Sequence, residues 1–254
     1  MKSVITRREV IAGATAAVAS VAIASAARSD RVLQGALAAS ETLTIKTQRL
    51  LLRHQPLIRE FKTADISTHF PTNGTKLPAG DAYTTLAANS FRDWSLRIGG
   101  LVKRPLRLTL ADIARLEART QTTMHCCDEG WSAIAQWTGV PLGLLLSSAG
   151  LLPTAQYVVF HCLDKKEEDS AFYYESIDLF DAFHPQTILA YRMNGRALQV
   201  DYGAPLRLRV ETQIGYKNAK YIDRIEVVDR LDHIGHGRGG WWEDFDGAVW
   251  YAGQ

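Results

Sequence analysis

Two adjacent thiols carry the strongest chemical signal in this chain. Cys127 opens the run Cys127-Asp128-Glu129-Gly130-Trp131-Ser132, directly after His125 and Cys126. A thiolate binds a soft or high-valent metal, and the bound metal keeps the sulfur deprotonated. Gly130 permits tight backbone, Trp131 and Trp137 can wall a pocket, and Asp128 and Glu129 supply charge or hydrogen bonds. Only Cys162 joins these two cysteines, so there is no disulfide framework. A bond between the neighbours Cys126 and Cys127 would need a strained ring. Two other readings stand at this point. Cys127 is either a small buried apolar residue, or part of a zinc site with His125, Cys126, His161 and Cys162. Against zinc, side chains of adjacent residues diverge on a strand, and the paired short spacers of structural zinc are missing.

The elements that must position these residues are short. Trp94–Ile98 and Leu106–Leu110 alternate apolar and polar residues, the period of a strand. Thr109 and Asp112 have the spacing of a capping box, with Ile113 and Leu116 on an apolar helical face. The Cys127 run is expected to follow this helix, with no element assigned between them. Trp137–Gly139 is expected to turn the chain, with Pro141 starting a helix through Leu142–Ser147. Tyr157–His161 reads as a buried strand, and Leu206–Val210 and Ile222–Val228 as further strands. Asp164–Ser170 is a charge run expected to be an exposed loop, and Gly235–Gly240 another loop. Strands and helices mix without βαβ alternation, which indicates an α+β fold with a mainly β core. Within Leu206–Val210, Arg207 and Arg209 fall on one face. Histidine is the side chain suited to proton exchange at neutral pH, which singles out His161, His233 and His236, but a histidine beside an apolar strand is ordinarily structural, and no acid–base role is assigned.

Residues 1–27 read as an address. Arg7-Arg8 precedes an Ala/Val-rich run from Val10 to about Ala24, and Ala24-Ser25-Ala26 is a small-x-small ending. This is the pattern of a signal peptide of the twin-arginine type, with an uncleaved anchor as the alternative. Residues 28–67 form a polar lead-in with helical character, and 68–254 the catalytic domain. Thr68–Ala82, with Pro71, Asn73-Gly74 and Gly80, is expected to be loop. A net charge of +2 over 254 residues argues against nucleic acid as a partner, so any positive field must be local.

The Cys127 run followed by Trp137-Thr-Gly-Val-Pro-Leu closely resembles the catalytic motif of the sulfite-oxidase-like family of molybdopterin-dependent oxidoreductases. Trp94–Val102 ahead of Pro105, Leu189–Gly195, Tyr202–Arg207, Gly215–Lys220 and Gly239–Asp244 near Trp250–Gly253 resemble further family segments in order. The resemblance implies the family's mainly β molybdopterin-binding fold with flanking helices. It implies Cys127, not Cys126, as the molybdenum ligand, and a molybdopterin whose phosphate meets Arg207, Lys217, Lys220 and the backbone of Asn218 and Ala219. One of Arg207 and Arg209 would serve substrate. Tyr202 stands where relatives carry a His or Asn on the pterin, and a phenol still donates a hydrogen bond. Cys162 stands where some relatives place a pocket-facing Thr, and it either lines the site or packs. The resemblance is loose at His69, Thr72 and Asn73, where Asn73 is the candidate contact.

The activity implied is exported two-electron oxygen-atom transfer on a small oxyanion or S-oxide: sulfite oxidation or S-oxide reduction. The family's C-terminal sandwich domain has no counterpart stretch, and no Cys-x-x-Cys-His haem motif is present. A separate haem protein, a membrane cytochrome b or a periplasmic c-type cytochrome, is therefore expected to exchange the electrons. The alternative is a non-catalytic periplasmic metal-binding or electron-transfer protein built on Cys127 and nearby histidines.

Overall fold

The computed structural model of the protein describes residues 30–165 and 171–253. The signal expected over 1–27 and residues 166–170 of the 164–170 charge run lie outside the described residues. The chain divides into two compact units, residues 1–54 and 55–254. In the first, α1 (Asp30–Leu51) realises the helical character of the lead-in over 22 residues. No helix of the described residues is long and apolar enough to cross a membrane.

The second unit is built on two five-stranded sheets. The first has the order β2-β1-β10-β5-β6, from β1 (Ser95–Gly100), β2 (Leu106–Thr109), β5 (Tyr157–Lys165), β6 (Phe172–Asp178) and β10 (Ile222–Val228). Its β1–β10 pair is parallel and the rest antiparallel. The second runs β3 (Arg119–Cys126), β4 (Ser132–Pro141), β7 (Ile188–Met193), β8 (Arg196–Ala197), with β9 (Arg207–Arg209) also on β7. Helices α2 (Asp81–Ala88), α3 (Leu110–Arg115), α4 (Leu142–Ala149), α5 (Leu179–Ala182) and α6 (Trp241–Phe245) are short and flank the sheets in sequence. The fold class is α+β with a mainly β core, as the strand periodicities require.

Alternation decides the faces. In β1, Leu96 and Ile98 are buried and Arg97 exposed. The main core joins them to Val158, Phe160, Ile225 and Val227, and to Leu142, Leu145 and Leu146 of α4. Each such side chain contributes about 1.5–3 kcal/mol on burial. A smaller cluster of Phe70, Ala133, Ala135, Trp137, Ile188 and Ala190 belongs to the second sheet. The capping box of Thr109 and Asp112 starts α3 as expected.

Four local expectations are corrected. The stretch read as loop to Ala82 gives way to α2 at Asp81. An eight-residue strand, β3, separates α3 from the Cys127 run. Trp137–Gly139 is not a turn. It lies inside β4, where a bulge at Thr138/Gly139 shifts the register of its antiparallel pairing with β7. The glycine gave the impression of a turn, but its reason is space, since a Cβ there would overlap the Leu189 carbonyl. Asp164 continues β5 and is buried, not looped out.

Candidate active site

The antiparallel pairing of β3 and β4 makes a hairpin whose connection is the Cys127 run. The Cys127 amide donates to the Trp131 carbonyl at 2.9 Å, and the Gly130 amide returns to the Cys127 carbonyl at 3.1 Å. Gly130 has φ +88°, a conformation that costs other residues strain. Glu129 stiffens the loop from outside. It accepts from the Trp131 indole at 2.9 Å and from the Gly74 amide at 3.2 Å. Cys127 Sγ stands 3.6 Å from Asp128 Oδ1. Burial, with the Asp128 and Glu129 charges, pushes the Cys127 thiol up to about 12 despite a backbone hydrogen bond at Glu129. The chain by itself therefore holds Cys127 as a neutral thiol.

A narrow cleft with a volume of about 40 Å³ lies beside this loop and opens to solvent. Its walls are Asn73–Thr75, Asp128 and Glu129, Asp164 and Tyr173, Gly215 and Tyr216, Asn218–Lys220, and Trp242. Gly215 meets the thiol directly. A Cβ at this position would stand 3.2 Å from Cys127 Sγ and 2.8 Å from Asp128 Oδ1.

The cations divide sharply. Arg207 is fully buried, with Nη1 donating to the Tyr202 carbonyl at 3.0 Å. Its Nε and Nη2 have no protein partner. Burial and the neighbouring Arg209 pull it down to about 9, so it stays charged at neutral pH. Lys220 lies alongside: a Cβ on Gly203 would stand 2.9 Å from the Lys220 Cβ and 3.2 Å from the Arg207 Cβ. Lys220 Nζ donates to the carbonyls of Asn73, Thr75 and Asp201, tying the 73–75 loop to the strand region. Arg209 is spoken for. It grips Glu211 in two bonds of 3.0 and 2.6 Å and meets His125 Nδ1 at 2.7 Å. Burial and the surrounding cations Arg209, Arg207 and Lys220 hold His125 well below the usual histidine range. Both guanidinium groups pack on Trp137, at 4.9 and 4.8 Å from its ring.

The structure thus brings Asn73, Asn218, Ala219 and Lys220 to one cleft, with Cys127 next to its wall residue Asp128 and against Gly215, and Arg207 buried behind Gly203 beside Lys220. Tyr202 lines a separate cavity with Ser67–Phe70 and Met193–Gln199, and its hydroxyl donates to the Phe70 carbonyl at 2.9 Å. Lys217, which the resemblance assigns to the cofactor, also stands elsewhere, and Cys162 takes the packed one of its two expected places. Lys217 turns inward and bonds Glu175 at 2.6 Å and Glu243 at 2.8 Å, because two buried carboxylates hold its charge. Cys162 packs in the main core. The five residues of the zinc reading do not converge: among the described residues no group of three or more His, Cys, Asp or Glu is arranged to hold a metal. Sequence reasoning missed Tyr173 and Trp242 as walls. Only the buried Glu175, set among Tyr173, Tyr174 and Ile177, carried a local hint that a cation would be drawn inward.

A molybdopterin fits these residues on two observations. Arg207 presents two buried N–H groups with no partner in the protein, the situation that an anionic oxygen resolves. Gly215 leaves the space over the thiol free of side chain. Comparison with known proteins agrees. The model of the oxidoreductase molybdopterin-binding domain matches residues 83–233. A putative protein-methionine-sulfoxide reductase subunit YedZ1 from Azospira oryzae is 36% identical over 225 residues, 89% of this chain and 79% of that protein. The MsrP catalytic subunit of Campylobacter jejuni is 30% identical over 208 residues, covering 76% and 70%. That of Xanthomonas campestris pv. campestris is 33% identical over 147 residues, covering 54% of this chain and 46% of that protein. In structure, the sulfane dehydrogenase SoxCD of Paracoccus pantotrophus shares the fold with a TM-score of 0.50 at 24% identity, covering 59% of this chain and 45% of that one. With a family match over most of the folded unit and a thiol, cleft and buried guanidinium that suit the cofactor, the chain belongs to the molybdopterin-binding oxidoreductase family.

Proposed function

We propose that this enzyme reduces S-oxides, with methionine sulfoxide as its substrate class, using a molybdenum-loaded molybdopterin held by Cys127. The observation that carries the reading is the pair of partnerless N–H groups on buried Arg207, next to Lys220 and within the same unit as the Cys127 thiol. Arg207 and Lys220 would hold the cofactor's phosphate, Arg207 as a directed fork and Lys220 as a point charge. The amide of Ala219, on the cleft wall, adds a donor, while that of Asn218 is held by the Gly215 carbonyl. Cys127 is the metal ligand. The bound group supplies the two-electron oxygen-atom exchange, which the protein orients and shields. An S-oxide takes up two electrons and two protons and leaves as a thioether and water. The Azospira and Campylobacter relatives, named for methionine-sulfoxide reduction, favour this direction over sulfite oxidation.

The proposal extends to setting. The Arg7-Arg8 segment would route the folded, cofactor-loaded enzyme to the periplasm, and a separate haem protein would deliver the electrons. The test is a metal and activity assay on protein made with an intact export system. Molybdenum near one per chain, a released pterin and reduction of methionine sulfoxide by an artificial donor are expected. Copper or zinc instead of molybdenum supports the non-catalytic metal-binding reading, and turnover of sulfite alone reverses the direction. Cys127→Ser should abolish activity and the molybdenum–thiolate signal with pterin partly retained, whereas Cys126→Ser should be far milder. A fully active Cys127→Ser protein refutes the ligand assignment.

A further inference from the structure

The ion group formed by Glu175, Lys217 and Glu243 lies outside the cleft, yet one short turn connects it to the thiol. Lys217 ends the 3-10 turn Gly215–Lys217, and Gly215 begins it. At one end, Gly215 stands against Cys127, close enough that a single added methyl would meet Sγ at 3.2 Å. At the other, Lys217 Nζ bonds Glu175 of β6 and Glu243 of α6, with all three side chains at most 1% exposed. Between the two ends the turn has little freedom. The Lys217 amide donates to the Ile214 carbonyl at 3.1 Å and the Asn218 amide to Gly215 at 3.0 Å. The Asn218 side chain donates to the Ile214 carbonyl and accepts from the Val210 amide.

The C-terminal segment grips the same turn from outside. The Ile214 amide donates to Ala252, the Tyr216 hydroxyl to Val249, and the Trp250 ring lies 5.2 Å from Lys217 Nζ. Trp242, beside Glu243, lines the cleft. A displacement of Lys217 is therefore passed to Gly215 and to the space over the sulfur.

We propose that Lys217 and Glu243 are positioning residues: the buried ion group tethers α6 to the Gly215–Lys217 turn and so fixes how the Cys127 thiolate faces the cofactor. This rests on the reading of Cys127 as the metal ligand. The group carries two carboxylates for one ammonium, and burial raises Glu175 well above the usual carboxylate range even with Lys217 beside it. Loss of Glu243 leaves a matched Lys217–Glu175 pair, so the fold tolerates it better than loss of Lys217.

The experiment compares wild type, Glu243→Ala and Glu243→Gln as holoenzymes, with molybdenum content, the Mo(V) electron paramagnetic resonance spectrum, and kcat and KM for methionine sulfoxide. Glu243→Ala should keep its molybdenum but shift the Mo(V) g-values. Its kcat should fall about 10- to 100-fold with KM little changed, the cost of a misplaced reacting centre. Glu243→Gln, whose amide oxygen still accepts from Lys217, should restore both. A wild-type spectrum and kcat in loaded Glu243→Ala overturn the inference, and so does a folded Glu243→Gln that fails to rescue. If Glu243→Ala does not fold, Glu243→Asp decides, since its shorter tether should shift the spectrum while keeping the charge. An unshifted spectrum there overturns the inference. Wild-type protein without molybdenum refutes the functional reading itself, whereas loaded wild type with an unaltered Glu243→Ala refutes the positioning alone.

Discussion

Arg207 and Arg209 are two residues apart on one strand, both buried, both packed on Trp137, and the structure gives them opposite thermodynamic roles. Replacing each by Met in the cofactor-free protein should separate them. For Arg209, the change removes the bidentate cation of Glu211, a carboxylate with no exposed surface, and the donor to His125. Breaking one side of a buried ion pair costs about 3–5 kcal/mol. For Arg207, the account runs in both directions. The wild-type side chain leaves Nε and Nη2 without partners, and each orphaned buried donor costs about 1–3 kcal/mol. Met removes that penalty. Against it stand one charged hydrogen bond to the Tyr202 carbonyl, about 1.5–3 kcal/mol, and a cation–π contact of about 0.5–2 kcal/mol. Gain and loss nearly cancel, so Arg207→Met should stay within about 2 kcal/mol of wild type.

The assay is urea unfolding of protein made in a host that cannot synthesise the cofactor, with molybdenum content measured in parallel from a competent host. Arg209→Met should unfold at markedly lower urea. Arg207→Met should unfold near wild type yet come out nearly free of molybdenum, because the anion that its N–H groups await has lost its fork. Equal destabilisation by the two substitutions, or stoichiometric molybdenum in Arg207→Met, would refute the argument that Arg207 is kept for a ligand.

Two further outcomes follow from local geometry. Gly139→Ala would push a methyl into the Leu189 carbonyl at the β4–β7 pairing, so it should destabilise by about 1–3 kcal/mol or fail to fold, read by thermal melting. The Cys127 thiol, with a usual value of 9.0 and a folded one of about 12, ionises first in the unfolded chain as pH rises. Its contribution to stability is therefore complete below pH 9 and lost between about 9 and 12; cofactor-free Cys127→Ser should fall less steeply than wild type over that window, and parallel curves would contradict the burial of the thiol.

How much of this was legible in the sequence depends on how local each cause is. The strands at Leu96–Ile98 and Ile222–Val228 are written in alternation, and the Thr109–Asp112 cap in side chains three residues apart, so both were readable. Gly139 was misread as a turn because its necessity comes from Leu189, fifty residues on, whose carbonyl occupies the space. The cations show the same limit more strongly. Arg207, Arg209, Lys217 and Lys220 are alike in type and crowded into fourteen residues, and any of them suits a phosphate. What sorts them is partner supply from distant elements. Glu175 of β6 and Glu243 of α6 capture Lys217, while Glu211, on its own stretch, captures Arg209 in the bidentate geometry that Arg favours. Lys220 finds the carbonyls of Asn73 and Thr75. Arg207 alone of the four keeps buried N–H groups with no protein acceptor. Each such group costs about 1–3 kcal/mol, and among these four cations only Arg207 carries that cost, so its unfilled bonds point to an anion more directly than the count of basic residues does.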